Sequence, residues 1–144
     1  MRNPRHVVLR LPAVAYMVFI FYMSSGPIES DSLQSFPDYI LHSAGYALLY
    51  LLVHVAFHGS FRPARGRGGY LLPLLITALY GLSDEIHQSF VPTREASFRD
   101  LVADIGGGVI GVAISLVLRR VPHLQQLFDY FDTPGKTAVG STDA

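Results

Sequence analysis

Four apolar blocks, each about as long as a membrane-crossing helix, set what this chain can fold into: residues 7–23, 38–57, 70–88 and 100–118. A helix rises 1.5 Å per residue, so about 17 to 25 residues cross a bilayer. Half of the 144 residues are hydrophobic and only 15% are charged, against roughly 25% charged in an ordinary soluble domain. The expected fold is therefore all-α: a polytopic membrane protein with four transmembrane helices in a bundle.

The first block follows a basic start and holds one charge, Arg10, whose long side chain can reach outward to the interface. It stops at Ser24-Ser25-Gly26-Pro27, where glycine and proline break a helix. A basic start and an apolar core also suit a cleaved leader. The further blocks and the poor small-residue site at Met23-Ser24-Ser25 favour a span. Nine of the eleven cations lie at the termini and in the second loop: Arg2, Arg5, Arg10, Arg62, Arg65, Arg67, Arg119, Arg120 and Lys136. Only Arg94 and Arg99 fall on the other side, so the positive-inside rule places both termini inside. The expected localisation is that of a multi-pass membrane protein with both termini in the cytoplasm. Residues 1–120 form the membrane domain. Residues 121–132, with Leu124, Leu127, Phe128 and Phe131 on one side, predict an interfacial helix, and residues 133–144 predict a disordered tail.

Net charge is zero and no basic stripe is interleaved with aromatics, which argues against nucleic acid. The absence of cysteine removes disulfides, thiol nucleophiles and thiolate metal ligands.

The third and fourth blocks flank an unusual concentration of polar groups: Asp84, Glu85, His87, Gln88, Arg94, Asp100 and Asp104 within residues 80–108. Ionisable residues near or inside a membrane are costly unless paired or wetted. Asp38, His42 and Tyr46 recur at i, i+4 and i+8 and drift only about 40° per step, so they share a face at the start of the second block. With loops one and three on the same side, four distant segments converge at one depth: Ser24 and Ser25; Asp38 and His42; Asp84 to Gln88; Asp100 and Asp104. The stripes Asp100, Asp104, Gly107 or Gly108, Gly111 and Thr77, Gly81, Asp84 or Glu85, Gln88 run from carboxylates into small residues, a close-packing pattern for membrane helices.

Ser24-Ser25-Gly-Pro, Asp38-x-x-x-His42-x-x-x-Tyr46, Ser83-Asp-Glu-Ile-His-Gln-Ser-Phe-Val-Pro-Thr-Arg94 and Asp100-Leu-Val-Ala-Asp104-Ile-Gly-x-x-x-x-Gly111 resemble the VanZ-like family of small bacterial membrane proteins over roughly residues 10–118. The resemblance implies a cell-envelope setting and an association with resistance to the glycopeptide teicoplanin, by altering the cell surface rather than by making the modified peptidoglycan precursor. Two positions depart from the pattern. Tyr39 stands where many relatives have Lys, and Asp104 where relatives often have Asn, which adds negative charge and favours a bound cation.

One reading of the cluster is a hydrolase or transferase acting on a lipid-linked or phosphorylated envelope substrate. Asp38, His42, Asp84, Glu85, His87 and Asp104 are its candidate catalytic groups, and Ser24, Ser25, Gln88, Arg94 and Asp100 its candidate substrate-binding groups. Oxygen and imidazole ligands suit a divalent metal that activates water, which makes such a metal the candidate cofactor. The spacing alone is not a metal signature, since Asp84, Glu85 and His87 spread over about 160° of helix. Without metal, His42 oriented by Asp38 would act as general base toward Ser24, Ser25 or water. A second reading is a non-catalytic binder of an envelope lipid or glycopeptide, and a third is a proton-coupled transporter, which with four spans would need a homodimer. Purely structural roles are also available. Asp84 or Glu85 could pair with Arg94, Asp100 could serve the helix dipole, and His54, His58 and His123 could sit at the inner interface.

Overall fold

The computed structural model describes residues 8–27, 37–61 and 69–132. The N-terminal cations Arg2 and Arg5, the loop acids Glu29 and Asp31, Arg62, Arg65 and Arg67, and the tail 133–144 lie outside the described residues. Within them the chain is helical without strands: α1 Leu11–Ser24, α2 Asp38–His58, α3 Leu71–Gln88, α4 Phe98–Leu118 and α5 Pro122–Asp132.

Helix α4 is the hub. Its most extensive contact is with α2 and its next with α3, while α1 packs on α2 and α3. Small residues make the α2–α4 contact. A Cβ on Gly107 would collide with the Ser43 backbone carbonyl, and one on Gly111 would lie 2.7 Å from Tyr50 Cδ1 and 2.9 Å from the Ala47 carbonyl oxygen. Only glycine lets the two backbones come this close. Ser43 Oγ adds a hydrogen bond of 3.2 Å to the Ala103 carbonyl. On the other flank of α2, Tyr46, Leu49 and Val53 pack with Ala13, Tyr16, Met17 and Ile20 of α1 and with Ile76 and Tyr80 of α3.

The distribution of polarity is the reverse of a soluble protein. Ser24, His54, Thr77, Asp84, Glu85, Gln88, Asp104 and Ser115 are buried, whereas Val18 (63%), Leu79 (64%) and Val117 (62%) are among many large apolar side chains left exposed. Such an apolar exterior is a liability in water and suits hydrocarbon. Helices α2 and α4, 21 residues each, are long and apolar enough to cross a membrane. Only 33% and 28% of their most apolar windows are buried, so most of each window faces outward.

Helix α1 starts at Leu11, with Pro12 in its first turn. Proline lacks an N–H and clashes with the preceding turn, so it belongs at a helix start and not in a helix interior. The resulting 14 residues reach about 21 Å at 1.5 Å each. Helix α2 begins after Pro37 and ends at Gly59, whose φ of 71° lets its N–H close on the Val55 carbonyl at 2.8 Å. His54, expected at the interface, is fully buried, stacks on Tyr70 at 5.3 Å and meets the tilted ring of His58 at 4.6 Å. It belongs to the bundle core at the end opposite the acidic cluster.

Candidate functional site

The C-terminal ends of α1 and α3 and the N-terminal ends of α2 and α4 meet at one end of the bundle. A cleft of about 990 Å³ opens between them, lined by Ser24, Asp38, His42, Asp84, Gln88, Arg94, Arg99 and Asp100 together with apolar side chains of α1 and α2.

At its floor His42 Nδ1 lies 2.8 Å from Asp104 Oδ1, joining α2 to α4; Asp104 is wholly buried and the His42 side chain 16% exposed. A neutral imidazole in this pair donates from Nδ1 to the carboxylate and keeps its Nε2 lone pair free. Asp38 therefore does not orient His42. Although one turn away on the same helix, it is exposed at the cleft rim, and the histidine turns across to α4, where Gly107 allows the close approach.

Asp84 Oδ2 accepts from Ser24 Oγ at 2.9 Å and from Gln88 Nε2 at 3.0 Å. Glu85 Oε2 accepts from the Ser97 backbone N–H at 2.7 Å. Ser97 also caps α4 by accepting from the Arg99 N–H at 3.2 Å, so this turn orients Glu85 and starts α4 at once. The sequence signal for it was Ser97-x-x-Asp100, a helix-start pattern. Several polar atoms here are buried without a partner: Tyr46 Oη, Asp84 Oδ1, Glu85 Oε1, Arg94 Nε and Asp104 Oδ2. Orphans of this kind are rare and call for a ligand, an ion or water. Tyr46, whose role the sequence did not reveal, is 3% exposed and stacks parallel to His42 with ring centroids 6.5 Å apart.

Other expected members are placed elsewhere or otherwise engaged. Ser25 Oγ donates to the Phe21 carbonyl at 2.7 Å and lies 3.1 Å from His87 Nε2, whose ring stacks on Phe21 at 4.3 Å. His87 and Ser25 thus stitch α1 to α3 outside the cleft lining. Ser24 gives its proton to Asp84. Neither serine is presented to His42 as a nucleophile. Arg94 forms no ion pair with Asp84 or Glu85; its Nη2 donates to the Met23 carbonyl at 3.2 Å, which satisfies a carbonyl at the end of α1. The Arg99 guanidinium lies 5.0 Å from the centre of the Tyr39 ring, so a cation stands at the rim.

The arrangement offers an imidazole lone pair, clustered carboxylates and two rim arginines around a cleft large enough for a substrate headgroup. A protein-family model described as VanZ/LLP1 matches residues 10–119. No curated protein and no solved structure matches the chain.

Proposed function

The chain belongs to the VanZ/LLP1 family, and on that footing we propose that it is a multi-pass protein of the bacterial cytoplasmic membrane that hydrolyses or transfers part of a lipid-linked or phosphorylated envelope substrate. In this reading α1 to α4 all cross the bilayer, both termini face the cytoplasm, and the cleft opens to the outer surface. The cation distribution supports that orientation.

The observation that carries the reading is the buried His42–Asp104 pair, 2.8 Å long, at the floor of a cleft. A carboxylate buried at this depth is costly, and a pairing that fixes the imidazole tautomer gives the cost a purpose. His42, Glu85 and Asp100 converge on one point. There a water or a substrate hydroxyl gives its proton to a basic group of the cluster and attacks the phosphorus or carbonyl carbon; the bond to the leaving group breaks, and that base returns the proton to the departing atom. Arg94 and Arg99, which line the same cleft, hold the anionic group. Asp84, held by Ser24 and Gln88, supports the wall between α1 and α3. Altered envelope lipids would in turn change susceptibility to teicoplanin.

The test is mass spectrometry of envelope lipids and lipid-linked intermediates from a bacterial host making equal amounts of the parent chain or of His42→Ala. The parent should deplete one phosphorylated or lipid-linked species and shift teicoplanin tolerance, and His42→Ala should restore both. Identical profiles and identical tolerance across parent, variant and empty host would sink the proposal.

A further inference from the structure

Three side chains from three helices, His42 of α2, Glu85 of α3 and Asp100 of α4, each bring a ligand atom to within 4.8 Å of the other two. We propose that these three residues hold one divalent metal ion. The proposal rests on reading the cleft as the reaction site, and it names the agent that activates the nucleophile there.

Three ligands of one four-coordinate ion at about 2.0 to 2.2 Å stand roughly 3.5 Å from one another. The observed spacing, within 4.8 Å, closes onto one ion with side-chain adjustments of about an ångström, within the reach of ordinary rotamer changes. Each ligand is also prepared by its surroundings. Asp104 occupies His42 Nδ1 at 2.8 Å, which leaves Nε2 as the donor in the carboxylate–histidine–metal arrangement that raises ligand basicity. Ser97 N–H occupies Glu85 Oε2 at 2.7 Å, which leaves Oε1. That atom is buried without a partner on a side chain only 6% exposed, an independent sign that something positive belongs beside it.

Charge balance points the same way. Asp84, Glu85, Asp100 and Asp104 lie at this end of the bundle, and no arginine forms an ion pair with any of them among the described residues. Arg94 is directed to the Met23 carbonyl and Arg99 to the Tyr39 ring. Buried carboxylates without cations are strongly penalised, and a divalent ion answers that deficit. His42 and Asp100 line the cleft, so an ion can enter and keep open positions for water and substrate. Three protein ligands with an open position are the pattern of catalytic rather than structural sites. One imidazole with two carboxylates is a donor set that suits Zn²⁺ or Mn²⁺.

The experiment is metal analysis and calorimetric titration of the full chain in detergent, stripped with chelator and then offered Zn²⁺ or Mn²⁺ alone. One ion per chain should bind and raise the thermal unfolding midpoint. Glu85→Gln and His42→Gln, checked for folding by circular dichroism, should each weaken binding at least tenfold. Glu95→Gln, which alters an exposed carboxylate on the cleft rim, should leave it unchanged. Failure of the folded parent to bind an ion would overturn the proposal, as would binding indifferent to Glu85→Gln and His42→Gln, an adventitious ion only. The two readings separate cleanly. If no ion binds while His42→Ala still restores the envelope lipids, the metal proposal falls and the reaction stands. A stoichiometric ion at these residues with no change in lipids supports the metal site and removes the reaction.

Discussion

Asp104 is fully buried, and its two oxygens meet different helices. Oδ1 holds His42 of α2, while Oδ2 packs against α3 at Gly81, where a Cβ would lie 3.0 Å away. Asn at this position keeps the shape and still accepts the Nδ1 proton through its carbonyl oxygen, but without a charge behind the imidazole. Asp104→Asn should therefore fold like the parent while reducing metal affinity or turnover about 10- to 100-fold. Asp104→Leu leaves the imidazole N–H unpaired and should cost about 1 to 3 kcal/mol in reversible unfolding in detergent. Ser24→Ala removes one of the two donors to Asp84 Oδ2 and should lower stability by roughly 1 kcal/mol in the same assay.

At the scale of elements, the glycines of α4 decide what the side chains of α2 can reach. Nothing lies within 4 Å of a Cβ built on Gly106, whereas one on the adjacent Gly107 runs into the Ser43 carbonyl. Gly106→Ala should be neutral or stabilising by about 0.5 to 1 kcal/mol. Gly107→Ala must push α2 off α4 and should cost about 1 to 3 kcal/mol, with loss of site function, because His42 is the residue next to Ser43. Thermal unfolding of the two variants side by side checks this, and equal midpoints would refute the close approach. The same contact marks where sequence reasoning stopped. Block lengths and helical spacing were enough to bring Ser24, His42, Asp84, Glu85 and Asp104 to one end and to turn the stripe Thr77, Gly81, Asp84, Gln88 inward. They could not choose among carboxylates at equal depth. Asp38 is the neighbour of His42 by spacing, yet Asp104, 62 residues away, is its partner, because helix rotation and interaxial distance are set by Gly107 and Gly111. Likewise, the Arg94 side chain was free to seek a carboxylate or a carbonyl, and only the position of the α1 terminus decided for Met23.

On the scale of the whole molecule, buried polar side chains and an exposed apolar exterior suit a bundle whose sides face hydrocarbon and whose polar end meets water. Everything proposed for the cleft depends on that end facing outward. The chain contains no cysteine, so a single introduced thiol reports its own side of the membrane. Thr93 is exposed and lines the cleft, while His123 is exposed on α5, beyond the opposite end of α4. The deciding measurement is labelling of Thr93→Cys and His123→Cys in intact cells with a membrane-impermeant maleimide. Rapid labelling of Thr93→Cys, with His123→Cys labelled only after permeabilisation, is the result expected of an envelope-facing site. Labelling in the reverse pattern would put the His42–Asp104 cluster on the cytoplasmic side and contradict the account.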